Sequence, residues 1–155
     1  VGVNIPAKGE GRLDVRDCDF LDHRGTGRAD ACAIRYSGNL LGTLSLEGCR
    51  FIRNRLENPE NMSFRGRGGA VNAIGCELVV TDCEFRENAA LLGGAIATNQ
   101  CEVTITGSEF VSNESLAFAG MYCTGGVSLS GCGFTGNISA SGIIEAQGPS
   151  DLTGC

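Results

Sequence analysis

Two kinds of side chain in this 155-residue sequence have the type and spacing to do chemistry: carboxylates and cysteines. Glu84 and Glu109 stand 25 residues apart, as do Glu77 and Glu102. Carboxylates brought within about 5 Å of each other serve as an acid/base or nucleophile pair in glycoside hydrolysis, or share a calcium ion. Nine cysteines offer disulfides. They match no zinc pattern, because no C-x-x-C occurs and the single histidine, His23, supplies one ligand at most. The odd count leaves at least one thiol unpaired within the chain. Whether any of these groups meet depends on what positions them.

The positioning device is a repeat. Its skeleton is Cys-x-Phe-x-x-Asn, then a strand opening with small residues, clearest in Cys83–Asn88 followed by Gly93-Gly94-Ala95-Ile96. Anchors fall at Cys18, Cys49, Cys83, Ser108, Cys132 and Cys155, with intervals of 31, 34, 25, 24 and 23 residues. A period in the low twenties with longer early excursions describes a solenoid that tolerates insertions.

Three residues before the anchors stand Val15, Leu46, Val80, Ile105, Leu129 and Leu152; two further back stand Leu13, Leu44, Leu78, Val103, Val127 and Ser150. This period-two alternation predicts a strand with one buried face. After the anchor the alternation restarts one residue out of step, reaching Phe20, Phe51, Phe85, Phe110 and Phe134. The chain therefore turns a corner between the two strands. The residue before each anchor is Asp17, Gly48, Asp82, Gly107, Gly131 or Gly154, types that accept positive φ at least cost. A third strand is expected from each small-residue pair: Gly93–Ile96, Gly68-Gly69-Ala70-Val71, and more loosely Cys32-Ala33-Ile34, Gly120-Met121-Tyr122 and Gly142-Ile143-Ile144.

Three short strands per coil, stacked in register, make an all-β, right-handed parallel β-helix of about six coils in a single domain, 1–155; the hand follows the general preference of parallel crossovers. Stacking turns the phenylalanines into an aromatic column. Asn54, Asn88, Asn113 and Asn137 become an inward amide ladder, with His23 a substitute hydrogen-bonder in the first coil. Insertions are expected between ladder and third strand, the longest a lateral loop at 56–67 and a smaller one at 23–31. Such loops are where a solenoid binds partners.

The same stacking places Glu84 over Glu109 and Glu77 over Glu102 on outer columns, with Arg50 between Asp19 and Glu84. The plain alternative to catalysis is a solvated charged face. Among the cysteines it stacks Cys76 with Cys101 and Cys132 with Cys155, the first candidates for disulfides; reduced thiols packing as small hydrophobes are the alternative. Of three sequons, those at Asn113 and Asn137 fall on the ladder, which leaves Asn61 in the lateral loop as the candidate glycosylation site.

Gly-Gly-Ala-Ile/Val together with Phe-x-x-Asn resembles the repeat pair of the chlamydial polymorphic outer-membrane protein family. The resemblance is tight at Phe51/Asn54/Gly68–Val71 and Phe85/Asn88/Gly93–Ile96. It is partial where Phe20 is followed by His23, and where Phe110/Asn113 is followed by Ala119-Gly120-Met121. It implies an extracellular β-helical passenger used in adhesion, without catalytic residues.

Charge narrows the partners. Residues 1–86 carry all 12 basic and 12 acidic side chains, whereas residues 87–155 carry six acids and no base, which argues against nucleic acid. The one basic cluster is Arg50, Arg53, Arg55, Arg65 and Arg67. No apolar run approaches the roughly 20 residues of a spanning helix. The reading is a non-enzymatic structural or adhesive module at the cell surface, needing no cofactor. Its partners are other protein chains, itself included through end-to-end stacking of uncapped coils, with a glycan as an alternative ligand. A polysaccharide lyase or glycoside hydrolase is the reading from another class.

Overall fold

A computed structural model describes residues 3–6, 11–26, 33–57 and 66–155. Every strand pair in it is parallel, and the described residues contain no helix. Three sheets of ten, five and five strands wrap one interior, so the fold is a parallel β-helix.

The second sheet is the phenylalanine sheet, Asp19–Leu21, Arg50–Ile52, Glu84–Arg86, Glu109–Val111 and Gly133–Thr135. Successive rings stack inside it with centroids 4.7–5.0 Å apart and planes within 9° of parallel. The spacing is that of the strands themselves, so backbone register dictates the stack. The predicted apolar positions before each anchor are inward and buried from the second coil to the fifth, from Leu44 and Leu46 to Val127 and Leu129.

All six corner residues before the anchors adopt positive φ, between 50° and 64°. The corner also explains why serine can replace cysteine at 108. Each anchor donates its S–H or O–H to the carbonyl two residues back, as in Cys83 Sγ to Thr81 O at 3.3 Å and Ser108 Oγ to Thr106 O at 3.1 Å. Two of them also accept from the anchor N–H of the coil before: Cys49 N–H to Cys83 Sγ at 3.4 Å and Cys83 N–H to Ser108 Oγ at 3.1 Å. What the position requires is a short side chain that both donates and accepts.

The other two faces differ from expectation. The predicted third strand does not form a sheet of its own. It runs on into the first strand of the next coil, as single strands Ile34–Glu47 and Val71–Thr81, or as Ile96–Asn99 followed by Glu102–Thr106, all in the ten-stranded sheet. The third face is built by short strands directly after the ladder, Arg24–Thr26, Arg55–Glu57, Ala89–Leu92, Glu114–Ala117 and Ile138–Ser139. Those segments read as insertions because they bury little: Leu56 and Ala90 form a small cluster apart from the main core. The lateral loop at 56–67 is correspondingly shorter, since Leu56 is a buried strand residue and Arg67 bridges to Leu92.

A second corner precedes the ladder, where Asp22, Arg53, Glu87, Ser112 and Gly136 have φ of 52–64°. The mixed residue types there gave no signal in the sequence. The ladder asparagine supplies the compensation. Asn88 Nδ2 donates to Phe51 O at 2.8 Å and to Asn113 Oδ1 at 3.1 Å, and its Oδ1 accepts from Asn54 N at 3.0 Å and Asn54 Nδ2 at 2.9 Å. Every donor and acceptor of the amide is used. At the head of the ladder the His23 N–H donates to Asn54 Oδ1, and His23 Nδ1 lies 3.0 Å from the same oxygen.

Candidate functional site

Two surface grooves, an outer column of the ten-stranded sheet and the cysteine columns hold the residues singled out for chemistry. The first groove, about 570 Å³, follows the corner between the ten-stranded and phenylalanine sheets. It is lined in part by Arg50, Asp82, Glu84, Arg86 and Glu109. Register pairs Glu84 with Glu109 and Glu77 with Glu102 on adjacent strands, as the repeat predicts.

The carboxylates within each pair turn different ways. Glu84 takes Arg86 on its own strand, Nε to Oε1 at 2.7 Å. Glu109 leans forward over the next coil, where a Cβ on Gly133 would meet its Oε2 at 2.1 Å. Glu77 accepts from Thr43 Oγ1 at 3.2 Å on the preceding coil, while Glu102 leans over Gly126 on the following one. Arg50, on the same outward column, makes a two-pronged pair with Asp19 instead of Glu84. That guanidinium holds the Asp19 carboxyl below its usual range. The arrangement is a set of exposed ion pairs, each worth little in water.

A second groove, about 310 Å³, runs along the corner outside the asparagine ladder. Asp22, Arg24, Arg53, Arg55, Glu87, Ser112 and Glu114 line it. Arg53 grips Asp22 through two bonds of 2.7 and 2.8 Å and lowers its pKa. Arg55 reaches across the coil between to Glu114, 3.4 Å away, passing over the small Ala89 that shares their column. Sequence reasoning missed this groove. Its signal was available in the residues just before and just after each ladder position, once the second corner is recognised.

The inward cysteines are thiols. Cys132 and Cys155 each face the carbonyl two residues back, Ser130 O at 3.5 Å and Thr153 O at 3.6 Å. Cys76 and Cys101 are in direct sulfur contact at 3.5 Å. Burial pushes the Cys83 thiol up to about 12. The ladder amides of Asn54, Asn88 and Asn113 are fully buried, and that of Asn137 is half-buried at the last corner. The Asn61 sequon and Cys32 lie outside the described residues. Among the described residues no three His, Cys, Asp or Glu side chains are grouped to hold a metal ion, and no helix is long and apolar enough to cross a membrane.

Comparison with protein-family models, with curated proteins and with solved structures returns no match in any of the three. The class of protein is therefore defined by its own geometry: a three-sheeted parallel β-helix whose repeat builds corners.

Proposed function

We propose that the chain is a non-enzymatic structural or adhesive module of an extracellular, cell-surface protein, of the kind its repeat resembles. One observation carries the reading: the recurring residues are spent inside the scaffold. The phenylalanines stack on each other, the asparagines saturate each other, and the anchors bond the corner carbonyls. The outward positions vary more, as in the column Asp19, Arg50, Glu84, Glu109 and Gly133, which suits a rod with a variable surface. Strands of the last coil, Gly133–Thr135, Ile138–Ser139, Ile144–Ala146 and Ser150–Thr153, are paired on one side only within the described residues. An open parallel edge is a template for pairing with another chain, and the partner proposed for it is a second copy stacked end to end. The test is electron microscopy with light scattering of the purified chain across concentration. Rods that lengthen in multiples of one unit support end-to-end stacking, and a concentration-independent monomer removes it.

A carbohydrate-active enzyme is the second reading, favoured by the groove that places Asp82, Glu84 and Glu109 beside Arg50 and Arg86. Turnover of an acidic polysaccharide that disappears in a Glu84→Gln/Glu109→Gln double variant would replace the structural reading.

A further inference from the structure

The inward columns bring one pair of thiols into direct sulfur contact. Cys76 and Cys101 sit on adjacent coils beside a kink in the ten-stranded sheet, where Gly75 and Gln100 take φ of 57° and 55°. Their sulfurs are 3.5 Å apart, and the residues are 4% and 2% exposed. Cα atoms on neighbouring parallel strands are about 4.8 Å apart, inside the roughly 4.4–6.8 Å range that a disulfide spans. Closing from a thiol contact to a bond of about 2.05 Å asks each sulfur to move about 0.7 Å, a partial χ1 rotation.

The two thiols are also unequal. Cys101 Sγ also lies 3.5 Å from Asn99 O, and with its S–H given to that carbonyl the Cys76 S–H is the donor across the sulfur contact, an arrangement that lowers the pKa of Cys101 and raises that of Cys76. Cys101 is thus the readier thiolate and Cys76 the holder of the proton, the division of labour a nucleophilic and a resolving cysteine need. Burial, above all, pushes the neighbouring Cys123 thiol up, which disfavours its thiolate.

We infer that Cys76 and Cys101 form a redox couple, closed by a small peroxide into a disulfide that ties the two coils together. The Cys101 thiolate attacks one oxygen of hydrogen peroxide. The O–O bond breaks, hydroxide leaves, and Cys101 becomes a sulfenic acid. Cys76 sulfur then attacks the Cys101 sulfur, the S–O bond breaks, and the departing hydroxide is protonated. Overall two thiols and one peroxide give one disulfide and two waters. A small dithiol reverses the change by exchange.

The test treats the purified full chain with hydrogen peroxide, alkylates what remains, and maps the cysteines by mass spectrometry. The expected result is a Cys76–Cys101 linked peptide lighter by two hydrogens, loss of two alkylatable thiols, and recovery of both with dithiothreitol. In Cys76→Ser the same treatment should leave Cys101 as a sulfenic acid that dimedone traps. Both residues still alkylated after oxidation of folded protein, judged by unchanged far-UV circular dichroism, would overturn the inference. So would linkage confined to Cys132–Cys155 or another pair. The wild-type map needs no variant to fold, and its outcome is independent of the adhesive reading.

Discussion

Replacing Asn88 by alanine should be among the most damaging single changes available in this protein. The side chain is fully buried and makes four hydrogen bonds. Truncation removes all four. It strands the Asn54 N–H, whose partner was Asn88 Oδ1, and takes the amide donor from the Phe51 carbonyl. The Asn113 oxygen keeps the Asn88 backbone N–H, and Asn54 Nδ2 keeps Phe20 O, so those two atoms stay bonded. One newly unsatisfied buried N–H at about 1–3 kcal/mol, the weakened bonding of the Phe51 carbonyl, and a cavity give a loss of about 2–5 kcal/mol. That is a large share of the roughly 5–15 kcal/mol that holds an ordinary domain together. The assay is urea unfolding followed by far-UV circular dichroism, comparing Asn88→Ala with Asn137→Ala. Asn137 is half-buried, and its Oδ1 serves Asn113 in the same way, so its loss should cost clearly less. A loss below about 1 kcal/mol for Asn88→Ala, or equal losses at both sites, would refute the argument that buried saturation is what the ladder provides.

Three further outcomes follow from the same geometry. Glu87→Gly should stabilise by about 1 kcal/mol in the same urea assay, because glycine relieves a left-handed residue at φ 54° whose side chain is not in the core. Gly131→Ala should cost only the left-handed penalty of about 1–2 kcal/mol, having nothing within 4 Å of the new Cβ. Gly94→Ala should cost much more, since its Cβ would lie 2.4 Å from Ala119 O and 2.6 Å from Glu114 O, both backbone, and a thermal melt of the two variants checks the order. Under reducing conditions stability should be flat between about pH 7 and pH 9 and then fall toward pH 12, as read by denaturation at stepped pH. Cys83 is raised in the folded state to about 12 from an ordinary thiol value of 9.0, so folding favours its protonated form and that advantage is lost as pH climbs through the window.

Much of the fold is legible in the residues. Phe51, Phe85 and Phe110 recur two residues after an anchor, and the Gly or Asp before each anchor marks the corner, because both signals come from side chains that only one environment tolerates. Asn54, Asn88 and Asn113 are readable for the same reason: an amide at a fixed offset has to find partners. The short third face is not legible. Ala89-Ala90-Leu91-Leu92 and Glu114–Ala117 lack a clean period, since the first buries two consecutive alanines and the second only Ser115, which leaves little pattern behind. The second corner is hidden too, because Arg53, Glu87 and Ser112 hold positive φ through the ladder bonds beside them and not through their own type.

The candidate chemistry divides along the same line. Sequence alone placed Glu84 with Glu109 and Cys76 with Cys101 on shared columns, because register in a parallel solenoid is a matter of counting. It could not say which way each side chain turns. Rotamers settle that, and they depend on neighbours from other coils: Arg86 and Thr43 hold Glu84 and Glu77 apart from their partners, whereas nothing separates the Cys76 and Cys101 sulfurs. The repeat thus determined the scaffold and the columns, while packing between coils, through contacts as short as one side chain, decided which columned groups meet.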